Sequence, residues 1–181
     1  MALDCFQILE ITRQPWIDDA LLKEHFHRLA AIHHPDTSSG STSAFSELNT
    51  AWQTLREPAA CLRHFLSLEH PGVLAIAERT PTDLGDLFME IADARQSAQS
   101  LIARRNSAAT LARALMESER ITLLSRLDKI AGEISARIAT SHAAIRTPGQ
   151  PPEAFAKILA TLTFLEKWTA QLGETKTALS V

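Results

Sequence analysis

The side chains best suited to binding or catalytic chemistry lie in the first 80 residues, which hold six of the seven histidines. The tripeptide His34-Pro35-Asp36 is the most distinctive group among them. Its proline fixes the local backbone and removes an amide donor that could compete for the neighbouring carboxylate. A carboxylate on a rigid, exposed loop can accept a charge-assisted hydrogen bond from an arginine of a partner protein. The alternative is that Asp36 only shapes the turn, as loop aspartates commonly do.

The other histidines and the two cysteines do not form a metal-binding pattern. His25 and His27 fall on different faces of a predicted helix, so they lack the spacing of a zinc site. Cys5 and Cys61 are too few for a disulfide framework or a four-thiolate site. We expect both cysteines to be small buried side chains, and we expect no metal and no cofactor.

The composition limits the class of protein. The chain has 181 residues, a formal net charge of −3 and 45% hydrophobic residues, which fits one or two globular domains. Near-neutral charge argues against a nucleic-acid binder. Because the chain shows no apolar run of about 20 residues and no leader sequence, we expect a protein of the bacterial cytoplasm, away from membranes, rather than a mature mitochondrial protein. We also expect a monomer.

Helices must position the His34-Pro35-Asp36 loop, because strand-like alternation is scarce. Asp18 or Asp19 can cap a helix that ends at His33, since a proline follows His34. The next helix starts near Ser41 to Ser43. The pattern also predicts a first helix over residues 3–10 and a fourth that begins at Pro58.

The apolar periodicity of the second half of the chain predicts three long helices, over about residues 83–104, 107–145 and 153–178. We place a domain boundary near residue 75, between two Pro-containing breaks, which gives domains at 1–75 and 76–181. The middle helix is predicted to bury one stripe, made up of Leu111, Leu115, Leu123, Leu127, Ile130, Ile134 and Ile138. The predicted fold is therefore all-α, a helical hairpin followed by a three-helix bundle.

The order of the first four helices, with His-Pro-Asp joining the second to the third, resembles a J domain. J domains are co-chaperone modules that stimulate ATP hydrolysis by DnaK-type chaperones. The stretch from Leu48 to Arg56 and the patches at 87–90 and 164–167 further resemble the HscB-type J proteins, which serve iron–sulfur cluster assembly. This resemblance implies an N-terminal J domain with the His-Pro-Asp loop, a C-terminal three-helix bundle, and a DnaK/HscA-type ATPase chaperone as partner.

The resemblance also implies which residues bind that chaperone. They are the loop and the basic outer face of the second helix, namely Lys23, His27, Arg28, His34, Pro35 and Asp36. Basic residues on this helix steer association with an acidic chaperone surface. Glu24 interrupts the basic face, which favours a specialised chaperone over a generic one. The alternative is a merely solvated face.

The predicted bundle helices carry apolar residues outside their own core stripes. Met89 projects almost opposite the stripe of its helix, and Phe164 points away from the stripe of the last helix. Exposed apolar clusters usually bind partners. HscB-type proteins use these positions to hold the iron–sulfur cluster scaffold protein, and the resemblance implies a scaffold-binding set of Phe88, Met89, Ala92, Asp93, Gln96 and Phe164. The alternative is that these side chains fill a groove within the protein.

Three hypotheses follow from the sequence. The first is an adaptor, not itself an enzyme, that binds the scaffold and stimulates the ATPase of the chaperone. The second is a general J protein whose second domain binds another client or tethers the chaperone. The third, a helical enzyme that uses the histidine-rich segment, is disfavoured because the sequence shows no nucleophile–base pair and no phosphate-binding loop.

Overall fold

The structure, a computed structural model, describes residues 3–34 and 41–180. Every regular element in these two ranges is helical, which confirms the all-α prediction. The α-helices are α1 (Cys5–Ile8), α2 (Asp19–His33), α3 (Thr42–Arg56), α4 (Pro58–Glu69), α5 (Leu74–Ala77), α6 (Gly85–Ser107), α7 (Thr110–Leu115), α8 (Glu117–Ile145) and α9 (Pro152–Ser180). Single 3₁₀ turns lie at Pro71–Val73 and Thr82–Leu84.

Short-range hydrogen bonds explain where the first helices begin and end. The Asp18 carboxylate accepts from the amides of Ala20 and Leu21, at 3.0 and 3.2 Å, and so caps α2. Helix α2 ends at His33 as predicted. Ser41 caps α3 by accepting from a backbone amide three residues later, and α4 has its proline in the first turn, where a missing amide hydrogen costs nothing.

The chain divides into two compact units. The first comprises Met1–Arg79 and His142–Ala160, and the second comprises Thr80–Ser141 and Thr161–Val181. Segment 142–160 joins the end of α8 to the start of α9 and belongs to the first unit. The domain boundary near residue 75 remains a prediction.

The core of the first unit forms around the α2–α3 hairpin. Phe6 and Leu9 of the α1 region are fully buried and cover the base of this hairpin. The two hairpin helices contribute the remaining central side chains, which are Leu22, Leu29, Leu48, Ala51 and Leu55. These apolar contacts fix the antiparallel pairing of α2 with α3, so the ends of the two helices flank the loop that joins them.

The core of the second unit contains most of the stripe predicted for the middle helix but not its first two leucines. Leu127, Ile130 and Ile134 are at most 1% exposed, whereas Leu111 and Leu115 are 76% and 79% exposed. The prediction that Leu111 and Leu115 belong to the core stripe is therefore wrong.

Helical geometry gives the reason for this correction. Along one continuous helix, 100° per residue would already place Leu111 and Leu115 about 130° and 90° away from the mean direction of the buried α8 side chains. Met116 points within about 10° of that direction. In the structure Met116 interrupts the predicted long helix between α7 and α8 and packs against the core of the second unit. Met116 therefore packs against the core, whereas Leu111 and Leu115 are exposed to solvent.

Candidate functional sites

His34, the first residue of the His-Pro-Asp sequence, lies directly after the last turn of α2. His34 is the C-cap of α2 and is exposed, and its ring meets the ring of Phe45 in α3 edge-on, with centroids 5.4 Å apart. Pro35 and Asp36 lie outside the described residues. The structure thus places one of the three loop residues, on the rim where α2 and α3 face each other.

The outer side of α2 carries the predicted chaperone-binding residues. Lys23, His27 and Arg28 are all exposed, as the sequence pattern predicted. Arg28 Nη2 lies 2.7 Å from a Glu10 carboxylate oxygen, and Lys23 Nζ lies 2.5 Å from an Asp19 carboxylate oxygen. Two of the three basic side chains therefore form ion pairs within the protein, which lowers the positive field that this face presents to a partner.

The pairing of Arg28 depends on the segment between α1 and α2. Glu10 has a φ of 53°, in the left-handed region that non-glycine residues rarely adopt. One turn before Arg28, His25 Nδ1 lies 2.8 Å from the Leu9 carbonyl oxygen, so the Glu10 segment is held against α2. This arrangement turns the Glu10 carboxylate towards the outer face of α2.

Helix α1 is held to α4 by a histidine that the sequence analysis did not single out. The amide of Cys5 donates to His64 Nε2 at 3.0 Å, and the His64 ring stacks on Phe6 with centroids 5.5 Å apart. Partial burial lowers the pKa of His64, so its ring stays neutral and can accept this bond near neutral pH. The isolated histidine gave no periodic or motif signal by which to find it.

The two cysteines are buried in the first unit, as predicted. Cys5 is 3% exposed and Cys61 is 1% exposed, and both are free thiols. Burial raises the pKa of the Cys61 thiol to about 12 and also raises that of Cys5. Both side chains are therefore protonated at neutral pH and act as packing groups rather than nucleophiles.

The predicted scaffold-binding residues of the second unit differ in exposure. Phe88 and Met89 of α6 are 53% and 66% exposed. Ala92, Asp93 and Gln96 are exposed on the same helix. These five residues form what we call the α6 patch.

Phe164 of α9 is less accessible than the sequence pattern indicated. It is half-buried, packs against the core of the second unit, and meets Trp168 edge-on with ring centroids 5.9 Å apart. Trp168 is itself buried and also contacts Phe88, at 6.1 Å between ring centroids. Trp168 thus links Phe164 to the α6 patch. The sequence analysis did not single out Trp168.

An apolar groove of about 290 Å³ opens beside these rings. It is lined by the start of α6, the 3₁₀ turn before it and the aromatic side chains of α6 and α9, namely Thr80, Pro81, Leu84, Gly85, Phe88, Phe164 and Trp168. On the polar side of the α6 patch, Asp93 lies 2.7 Å from Arg126 Nη1 in an exposed ion pair. The groove and the α6 patch together offer an apolar surface with a polar margin.

Neither a cluster of metal ligands nor a membrane-spanning helix is found in ranges 3–34 and 41–180. No three histidine, cysteine or acidic side chains come together in these ranges as metal ligands would. No helix there combines the length and the apolar character needed to cross a membrane.

The antiparallel α2–α3 hairpin, with α1 packed at its base and His-Pro-Asp in its connection, defines the class of module at the N-terminus. It is a J domain. A family model of the DnaJ domain matches residues 4–63, which run from the N-cap of α1 into α4.

Curated proteins similar to this chain include chaperones named DnaJ. The chain is 43% identical over 58 residues to the chaperone protein DnaJ of Caulobacter vibrioides, covering 30% of this chain and 14% of that protein. It is 38% identical over 61 residues to DnaJ of Bartonella quintana, covering 32% and 16%, and 36% identical over 66 residues to DnaJ of Nostoc punctiforme, covering 35% and 17%. The chain thus spans about one sixth of the length of these relatives. The resemblance of the remaining chain to HscB-type proteins stays a prediction.

Proposed function

We propose that this protein is a J-domain co-chaperone that stimulates the ATPase of a DnaK/HscA-type chaperone. The observation that carries the proposal is the match of residues 4–63 to the DnaJ domain, together with the His-Pro-Asp sequence at the hairpin connection. In this proposal the chain itself breaks no bond. Docking of the loop shifts the chaperone towards its hydrolysing state, which requires a difference in binding free energy between the states of the chaperone.

The chaperone-binding surface in this proposal joins the loop to the outer face of α2. Asp36 supplies a carboxylate for an arginine of the chaperone, and His34 and Pro35 hold the backbone beside it. Lys23, His27 and Arg28 supply the positive face. Because Lys23 and Arg28 already pair with acids of this chain, docking must displace or share these ion pairs. We therefore expect a modest on-rate that falls further as salt rises.

The second part of the proposal concerns the client. We infer that the α6 patch and Phe164 bind an iron–sulfur cluster scaffold protein. Phe88 and Met89 support this, because two large apolar side chains are exposed on one helix beside an open apolar groove. The aromatic groove would receive an apolar side chain of the scaffold, while Asp93 and Gln96 would form the polar rim.

A chaperone ATPase assay tests the first part. The variants Asp36→Asn and His34→Gln should fold normally, as judged by circular dichroism, and lose stimulation of the steady-state ATPase. Glu47→Gln, an equally mild change on the exposed side of α3, is the matched control and should stimulate like the parent protein. Full stimulation by Asp36→Asn would refute the J-domain mechanism. Parallel runs with a generic and a specialised chaperone would identify the partner.

A binding assay with a purified scaffold protein tests the second part. Met89→Ser should weaken scaffold binding and leave ATPase stimulation without scaffold unchanged, because Met89 belongs to the second unit. Phe164→Ser should weaken binding too, with its fold checked by circular dichroism because Phe164 is half-buried. Leu111→Ser is the control, since Leu111 is exposed in the same unit outside the α6 patch.

A second candidate function is a general J protein that delivers another client. The relatives named DnaJ favour it, because they share only the J domain with this chain. The residues Ala92 and Gln96 also depart from the leucine and glutamate usual in HscB-type proteins. Unchanged scaffold affinity in Met89→Ser, with ATPase stimulation intact, would support this second function.

A further inference from the structure

A pocket in the first unit lies where the segment before α2 meets the segment that joins α8 to α9. Its volume is about 310 Å³, and every residue that lines it belongs to the first unit. Trp16, Ile145, Pro148 and Phe155 give it a mainly apolar wall. Concave pockets of this size and lining are typical of sites that receive an apolar group of a ligand. We call this site the Trp16 pocket.

The cation of the Trp16 pocket is Arg146, which is held in place by an aromatic ring. The guanidinium carbon of Arg146 lies 4.5 Å from the ring centre of Trp16, in a cation–π contact. Stacking uses the face of the planar guanidinium and leaves the N–H donors at its edge free to meet a carboxylate. Within residues 3–34 and 41–180, the Arg146 side chain forms neither an ion pair nor a hydrogen bond.

The charge of Arg146 has no acidic counterpart in the pocket. None of the lining residues is acidic. Glu153 at the start of α9 is the nearest acid along the chain, but it is exposed and does not line the pocket. Burial lowers the pKa of His142, and the positive charge of Arg146 one turn later lowers it further. The Trp16 pocket therefore combines an apolar wall with a single cation that no lining acid neutralises.

The segment between α8 and α9 constrains the shape of the pocket. Gly149 has a φ of 78°, a left-handed conformation that glycine adopts without strain. The side-chain amide of Gln150 donates to the Ala144 carbonyl oxygen, and the backbone amide of Thr147 donates to the same oxygen at 3.0 Å. These hydrogen bonds close the turn after α8, so a ligand would have little backbone to order when it binds.

We propose that the Trp16 pocket binds a segment of a partner protein in which an apolar side chain stands next to an acidic residue. The apolar side chain contacts Trp16 and Phe155, and the carboxylate accepts charge-assisted hydrogen bonds from the edge of the Arg146 guanidinium. Charge complementarity selects an acidic segment, because the pocket holds a cation and no acid. The apolar wall adds a requirement that an inorganic anion does not meet.

The Trp16 pocket is separate from both surfaces of the proposed function. Trp16 precedes α2 and His34 follows it, and the 15 residues of α2 between them span about 22 Å along the helix axis. The α6 patch belongs to the second unit. The proposal therefore stands whether or not the chaperone and the scaffold protein bind as proposed above.

A nuclear magnetic resonance titration of the full chain with short peptides tests the proposal. The test peptide has blocked ends and consists of glycine and serine around one leucine that is followed by one aspartate. One control peptide carries asparagine in place of the aspartate, and the other carries alanine in place of the leucine. The reporter is the indole N–H signal of Trp16, which is identified by its loss in Trp16→Phe. We expect the test peptide to shift this signal to saturation and both control peptides to bind at least about threefold more weakly.

Variants locate the binding site. Arg146→Gln should weaken binding of the test peptide by about three- to tenfold and abolish its preference over the asparagine peptide, because the selecting cation is gone. Arg146→Lys keeps the charge but not the planar fork of donors, and should retain part of that preference. Arg79→Gln is the matched control, since Arg79 is an exposed arginine of the first unit outside the pocket, and should bind like the parent protein.

Several results would overturn the proposal. They are the absence of a saturable shift of the Trp16 signal, equal binding of the aspartate and asparagine peptides, or an unchanged preference in Arg146→Gln with a native circular dichroism spectrum. A Trp16 signal that shifts with protein concentration alone would overturn it in favour of a second copy of the chain. Tighter binding of free isocaproate than of the test peptide would overturn it in favour of a small carboxylic acid.

Discussion

Paired leucine-to-alanine changes at positions 115 and 127 would test directly which residues form the core of the second unit. The same three side-chain carbons are removed at both positions, and both residues occupy helices. Leu127 is 0% exposed, so its truncation leaves a cavity in packed surroundings. A fully buried Leu→Ala change costs about 3 kcal/mol, or more where the site cannot collapse.

The change at position 115 should behave differently. Leu115 is 79% exposed, so Leu115→Ala returns little apolar area to water and opens no cavity. Alanine and leucine have similar helix propensities, so the change in the free energy of unfolding should stay within about 0.5 kcal/mol.

Thermal and urea unfolding followed by circular dichroism measure both effects. For a chain of this size each 1 kcal/mol shifts the Tm by about 2–4 °C, so Leu127→Ala should lower the Tm by about 6–12 °C and Leu115→Ala by at most about 2 °C. A loss above about 1.5 kcal/mol for Leu115→Ala would refute the assignment of Leu115 to the surface.

Three further outcomes follow from the first unit. Because burial lowers the pKa of His64 in the folded state, the stabilisation that this residue provides is complete above its unfolded pKa of 6.5 and is lost as the pH falls below that value towards the lower pKa of the folded state. Urea titrations between about pH 7.5 and 5 should show this loss, and His64→Gln should lack it; identical pH profiles would exclude His64 as the cause. Because burial raises the pKa of Cys61 to about 12 and also raises that of Cys5, neither thiol should react with a disulfide reagent in the native protein, and both should react after denaturation. A thiol that reacts quickly in the native protein would contradict the burial of these cysteines. Asp18→Ala should lower the free energy of unfolding in urea by about 1 kcal/mol, because the two amides that Asp18 caps lose their acceptor. Asp18→Asn should retain most of the stability, and equal losses in both variants would show that the cap is not the cause.

The ends of the J-domain helices were predictable because their signals are local. Asp18 caps amides two and three residues away, and Pro58 occupies the first turn of its own helix. His33 ends α2 just before a residue that precedes proline. Each of these interactions spans at most one helical turn, so the amino-acid sequence contains both partners in one short window.

The state of the basic face on α2 could be predicted only in part. Lys23 and Asp19 are four residues apart in one helix, so their ion pair was visible in the sequence. Arg28 and Glu10 are 18 residues apart and meet where Glu10 adopts a left-handed backbone conformation. No sequence pattern predicts a positive φ at a glutamate, because the conformation is imposed by the packing around α1 and α2.

By itself, the sequence determined that this protein is helical, that its first four helices form a hairpin-based module with His34-Pro35-Asp36 in the connection, and that Cys5 and Cys61 are buried. These properties depend on helix caps, prolines and apolar periodicity, which act within a few residues. Only the tertiary structure decided that Phe164 is half-buried and that Trp168 connects it to Phe88 of the α6 patch. Those outcomes depend on which side chains from distant parts of the chain compete for the same buried volume, and periodicity along one helix does not contain that information.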